Sequence, residues 1–185
     1  MKLLSLAGLA LVISVVTMHC ANGPARLTTP IKVFPVQSVG TKSEGKAVDF
    51  TWVDNGKKTS FLEVTSGKVV LLNIWATWCP PCRREIPDLV AIANEMAAKG
   101  VVVFGVSLDS KADPVASVKA FAEKQSIGYI NVVDNSSNQI ADAYGGIQSI
   151  PTTFIIDRQG NIVQKIVGSQ SKEAFVAALQ KAGLN

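Results

Sequence analysis

The apolar positions of this chain fall into two kinds of pattern. Residues 69–75 (VVLLNIW) and 101–108 (VVVFGVSL) are nearly unbroken apolar runs of strand length, the signature of strands buried on both faces of a parallel sheet. Elsewhere the apolar residues recur at helical spacing. Leu89, Ile92, Ala93, Met96 and Ala97 mark a helix that Lys99-Gly100 closes. Val115, Val118, Phe121 and Ala122 mark a second from about Pro114 to Lys124, and Phe175, Ala178 and Leu179 a third from Lys172 to Ala182. A short strand near Ile130 to Val133 and a helical turn from Asn138 to Tyr144 lie between. Two hairpins complete the pattern. Val48–Trp52 and Thr59–Leu62 flank Asp54-Asn55-Gly56-Lys57, with Asn-Gly at the bend, and Thr152–Ile156 and Ile162–Val167 flank residues 157–161. Strands alternating with helices and ending in a hairpin and a helix predict an α/β domain with a central mixed β-sheet flanked by helices and an N-terminal β-hairpin extension.

The first 47 residues read differently. Lys2 is a short basic start, and Leu3 to Val16 form an apolar run of about 14 residues, which suits the core of a signal segment better than the roughly 20 needed to span a bilayer. Residues 1–20 are therefore expected to be a signal peptide or membrane anchor, placing the remainder outside the cytoplasm, in a bacterial periplasm or cell envelope. Cys20 lies where a lipidated cysteine would, although Thr17-Met18-His19 lacks the small residues such a signal asks for. Lipidation at Cys20, an uncleaved anchor, and cleavage further on, for instance after Ala25, all stay open. Residues 21–47, with Pro24, Pro30, Pro35, Gly40 and Gly45, have linker composition. Within them Ile31-Lys32-Val33-Phe34 alternates enough to add an edge strand. Residues 48–185 then make one folded domain.

Charge narrows the function. The chain of 185 residues carries a formal net charge of +4 with no long run of one sign, so nucleic acid binding has no support. The chemistry is concentrated in Trp78-Cys79-Pro80-Pro81-Cys82, which follows the first buried strand and opens the first long helix. A thiol at a helix N-terminus faces unpaired N–H groups and the positive end of the macrodipole, both of which favour thiolate. Cys79 is therefore the expected nucleophile. Pro81 suits the first helical turn, and Pro80 and Pro81 together stiffen the loop so that the cysteines interconvert between dithiol and disulfide with little backbone movement. They also remove two amide donors, leaving the amide of Cys82 to hydrogen-bond the Cys79 sulfur. The alternative is half of a zinc site, which needs three or four ligands. Only Cys20 and His19 remain, both in the N-terminal segment, so no metal or other cofactor is expected.

At this point the chain resembles the thioredoxin superfamily, and within it the membrane-tethered TlpA/ResA-like thiol-disulfide oxidoreductases. The likeness spans about residues 48–185. Asp49-Phe50-Thr51, Gly67 to Asn73, Trp78 to Cys82, Arg84-Glu85-Ile86-Pro87 and Ile150-Pro151-Thr152-Thr153-Phe154 carry it. The resemblance implies a thioredoxin-like fold with Pro151 cis beside the cysteine pair; the local pattern alone, a proline opening a strand after Gly145-Gly146, favours a trans turn proline. It also implies that Cys79 attacks a substrate disulfide and Cys82 resolves the mixed disulfide. By the same likeness Trp78 shields the exposed sulfur, and the backbone at Ile150 bonds substrate as an added strand. The buried acid of cytoplasmic thioredoxins aligns with Asn73, which cannot take a proton. Glu85, one helical turn past Cys82, can, and is the expected proton acceptor or pKa-tuning group, against the alternative of a solvated helix glutamate beside Arg83 or Arg84. The implied partners are protein disulfides, apocytochrome c among them, and a membrane thiol donor for re-reduction, with the membrane reached through the N-terminal segment.

Two other functions compete with this one. A peroxiredoxin-like thiol peroxidase shares the scaffold, but its PxxxTxxC signature would place Thr and Pro where Ala76 and Leu72 stand. A non-catalytic binding module or copper carrier is the second. Residues 48–185 hold no histidine and one methionine, Met96, leaving no ligand set for copper.

Overall fold

The computed structural model describes residues 30–134 and 136–184. Their order begins with β1 (Val33–Pro35), β2 (Ser38–Val39), β3 (Phe50–Asp54), β4 (Lys57–Ser60) and α1 (Phe61–Thr65). Then come β5 (Val69–Trp75), α2 (Pro80–Met96), a 3-10 turn, β6 (Val101–Ser107), α3 (Pro114–Gln125), β7 (Asn131–Val133) and α4 (Gln139–Ala143). β8 (Thr152–Ile156), β9 (Ile162–Val167) and α5 (Lys172–Lys181) close the chain. The main sheet runs β1-β7-β6-β5-β8-β9. Its first four strands are mutually parallel, and β8 and β9 are antiparallel additions. This is the expected mixed sheet, in a thioredoxin-like arrangement.

β5 lies at the centre, and its alternating side chains divide the core in two. Val69, Leu71 and Trp75 join one cluster with Leu89 and Ile92 of α2, Val118 of α3 and Phe175 and Leu179 of α5. Val70, Leu72 and Ile74 join the other with Phe50, Trp52, Phe61, Phe104 and Ile140. All seven residues of β5 are buried, because both faces are covered. Asn73 shares the odd-numbered face of β5 with Leu71 and Trp75, the face on which α2 packs.

Three features depart from the expected pattern. The segment read as a linker to residue 47 is built into the sheets: the edge strand expected near Ile31–Phe34 forms as β1 and pairs in parallel with β7, and β2, which was not expected, pairs with Phe50 and Thr51 of β3. A proline-rich composition describes backbone freedom, not whether a sheet edge nearby is open, and Pro35 is tolerated because it closes an edge strand. The N-terminal hairpin is consequently the larger part of a three-stranded sheet, β2-β3-β4. Phe61 and Leu62 start α1 instead of extending β4, since the Ser60 hydroxyl accepts the Glu63 amide at 3.2 Å and caps a helix there. Residues 1–29, and with them the expected signal or anchor segment, His19 and Cys20, lie outside the described residues.

Candidate active site

β5 delivers the chain to the carboxyl end of the parallel strands, where Ala76-Thr77-Trp78 turns it into α2. Cys79 is the N-cap of that helix, with extended backbone (φ −88, ψ 108), and Pro80 and Pro81 occupy its first two positions, where missing amides leave no bond unmade. The Cys82 amide donates to the Cys79 sulfur at 3.2 Å, the one donor that the two prolines leave in place. Cys79 and Cys82 are joined as a disulfide with their Cα atoms 5.3 Å apart. Cys79 is 3% exposed and Cys82 fully buried, so any reagent approaching the pair meets Cys79 first.

The loop before Cys79 is held by a residue that pattern reading did not single out. Asp109, buried just beyond β6, accepts the Thr77 amide at 2.9 Å, the Thr77 hydroxyl at 2.5 Å and the Ser107 hydroxyl at 2.6 Å. The Leu108 amide donates to the Trp75 carbonyl at 2.8 Å, tying the two strand ends together. Charge-assisted bonds of this kind are stronger than neutral ones, and three on one carboxylate fix the approach to the nucleophile. An acid closing an apolar strand was visible in the sequence. Its target was not, because Thr77 lies 32 positions away and meets it only through β5–β6 pairing.

On the other side of the disulfide, the Ile150–Pro151 peptide bond is cis. It sets the Ile150 carbonyl 3.7 Å from the Cys79 sulfur, and the Thr152 hydroxyl donates to the Ser149 carbonyl at 2.7 Å to brace the turn. The structure therefore brings Cys79, Cys82, Pro80, Pro81, Ile150 and Pro151 together. Trp78 projects into solvent, 57% exposed, and Ile150 is half-buried.

Glu85 is no solvated surface glutamate. It is 1% exposed, on the inward face of α2 one turn beyond Cys82. Asn73 donates its Nδ2 to Glu85 Oε1 at 2.9 Å and to the Thr153 hydroxyl at 3.0 Å, while the Gln170 amide donates to Oε2 at 3.3 Å. Burial pushes the Glu85 carboxyl up to about 7, against hydrogen bonds from Asn73, Gln170 and Ser169 that pull it down; the nearby Asp88 charge adds to the rise. A carboxyl pushed up towards neutrality, one helical turn beyond Cys82 and buried on the same helix, is suited to take and return a proton.

The chain is similar in sequence and in fold to known proteins. The AhpC/TSA family matches residues 44–165. The chain belongs to that family. Among curated relatives, the thiol-disulfide oxidoreductase ResA of Bacillus cereus is 34% identical over 136 residues, covering 74% of this chain and 76% of the relative. A thioredoxin-family thiol:disulfide interchange protein from Chlorobium tepidum superposes with a TM-score of 0.61 at 30% identity, covering 82% of this chain and 96% of the other. The exposed lipoprotein thioredoxin of Streptococcus pneumoniae does so at 0.57 and 30% identity, over 72% of this chain and 98% of that one. With a CxxC disulfide capping α2 and ResA among its relatives, this member of the AhpC/TSA family is a thioredoxin-like thiol-disulfide oxidoreductase.

Proposed function

We propose that this protein works outside the cytoplasm, tethered by its N-terminal segment, as a reductant of particular protein disulfides in the cell envelope, those of apocytochrome c among them. The single observation that carries the redox reading is the Cys79–Cys82 disulfide at the N-terminus of α2, with the Cys82 amide on the Cys79 sulfur. In the reduced form that amide and the helix end stabilise a Cys79 thiolate. The thiolate attacks a substrate disulfide; one substrate sulfur stays bonded to Cys79 and the other leaves as a thiolate that takes a proton. Cys82 then passes its proton to Glu85 and attacks the Cys79 sulfur, forming the Cys79–Cys82 disulfide; the second substrate sulfur leaves as a thiolate that takes a proton from solvent, and Glu85 gives its proton back to solvent. A membrane thiol donor returns two electrons and two protons to restore the dithiol.

The extracytoplasmic placement rests on the apolar run 3–16 and on the pneumococcal relative's description as an exposed lipoprotein, which fits a tether at Cys20. No helix among the described residues is long and apolar enough to cross a membrane. Against a peroxidase stand Ala76 and Leu72, both fully buried, at the positions where that chemistry needs threonine and proline.

The test is to express Cys82→Ser with its N-terminal segment intact and identify what it holds. Envelope proteins joined through their cysteines to Cys79, and released by dithiothreitol, are the expected result. Absence of any mixed disulfide, or peroxide turnover faster than insulin reduction by the unaltered protein, would overturn the proposal.

A further inference from the structure

Beside the redox pair lies a feature that the chemistry above does not use. Pro80, Arg83, Arg84 and Gln125 line a cleft of about 330 Å³ between the first turns of α2 and the end of α3. Both arginines are exposed. Arg83 is one turn above Cys79, its amide donating to the Cys79 carbonyl at 3.1 Å, and its guanidinium lies 5.9 Å from the centre of the Phe121 ring. That aromatic contact holds the cation beside the cleft without neutralising it. The ion pairs among the described residues are Lys32–Asp54, Lys57–Glu63 and Lys172–Glu95, and none involves Arg83 or Arg84. Two unpaired guanidinium groups thus stand at the positive end of a 17-residue helix, in a cleft that shares Pro80 with the redox loop.

From this placement we infer that the cleft is a specificity pocket for an acidic side chain, aspartate or glutamate, next to the disulfide of the protein substrate. The inference rests on the oxidoreductase reading above and names the substrate class for that site. Guanidinium matches carboxylate geometry and is weakly hydrated for a cation, so it selects a carboxylate over a neutral amide of the same shape. A basic residue at that place meets like charge instead, which adds rejection to attraction. The exposed Trp78 and the Ile150 backbone, 3.7 Å from the Cys79 sulfur, offer apolar and hydrogen-bonding contact. The two arginines supply the charge selection that those groups lack.

The experiment uses the full-length reduced protein and three synthetic peptides, identical except for Asp-Asp, Asn-Asn or Lys-Lys beside a single cysteine carrying a neutral thiopyridyl group. Release of thiopyridone reports attack by Cys79, and each rate is divided by the rate of the same peptide with dithiothreitol. The expected order is acidic, then neutral, then basic, with the acidic peptide about five-fold ahead of the neutral one, the scale of an exposed arginine–carboxylate pair, at low salt. The preference shrinks as salt is raised to about 1 M, where screening acts over roughly 3 Å. In the double variant Arg83→Gln/Arg84→Gln the acidic-to-neutral ratio falls towards one. Arg84→Gln alone, which leaves the Phe121 contact intact, falls part of the way and serves if the double variant does not fold. Equal rates for all three peptides, or a preference that survives Arg84→Gln undiminished, would overturn the pocket and leave the redox assignment standing. No release above that of a variant lacking both cysteines would overturn the redox assignment itself.

Discussion

Replacing Glu85 by glutamine tests whether the buried carboxyl is as strongly perturbed as its surroundings imply. In the folded protein the group is pushed up to about 7 from an ordinary value of 4.5, chiefly by burial. A raised folded-state pKa means that the native protein holds the proton more tightly than the unfolded chain does. Its stabilising contribution is therefore fully present below pH 4.5 and is lost as pH rises through about 7. At about 1.4 kcal/mol per pH unit, that interval limits the loss to about 3.5 kcal/mol. Glutamine removes the titration. Its amide oxygen keeps the 2.9 Å bond from Asn73, but its NH2 group cannot accept the Gln170 amide as Oε2 does. That lost bond is a pH-independent offset of about 1 kcal/mol. The two proteins must therefore differ in slope, beyond any difference in height. Urea unfolding of the oxidised proteins, repeated from about pH 4 to about pH 8, measures it. The stability of Glu85→Gln relative to the unaltered protein should rise by about 2–3 kcal/mol over that range. Parallel stability curves would show that Glu85 titrates normally and would refute the reasoning.

The same substitution should act on catalysis: at neutral pH the resolution of the Cys79 mixed disulfide is expected to slow at least roughly ten-fold and to lose its inflection near 7, read by stopped-flow across pH. Unchanged thiol titration and rates would remove the proton-acceptor role. Asp109→Ala leaves the Thr77 amide and hydroxyl and the Ser107 hydroxyl without their acceptor. It should cost about 2–3 kcal/mol in urea unfolding and slow insulin reduction by loosening the loop before Cys79; an unaltered rate would show that the loop needs no such anchor. At Gly105 an added Cβ would lie 1.9 Å from Asn131 Oδ1 and 3.0 Å from Trp75 Nε1, which are themselves bonded at 3.0 Å. Gly105→Ala should therefore destabilise the sheet centre by about 2–4 kcal/mol, and an unmoved urea midpoint would mean that Asn131 can swing away freely.

Much of this protein could be read before any coordinates. The runs 69–75 and 101–108, apolar but for Asn73 in one and Ser107 in the other, read as strands covered on both sides because neither leaves a face for water. Cys79 and Cys82 announced their chemistry because a helix N-cap, two prolines and two thiols act within five residues, where no distant partner is needed. Contacts across the fold decided the rest. The alternation at Ile31–Phe34 suggested an edge strand, but its partner, β7 in parallel, was a fact about the sheet rather than about a proline-rich stretch. Asp109 anchors Thr77 because β5 and β6 are neighbours. From its neighbours alone Glu85 could equally be a surface glutamate of α2, and only the family resemblance singled it out. It is buried because α2 packs over the face of β5 that carries Asn73, and burial, a property of the assembled layers, is what carries its titration to neutrality.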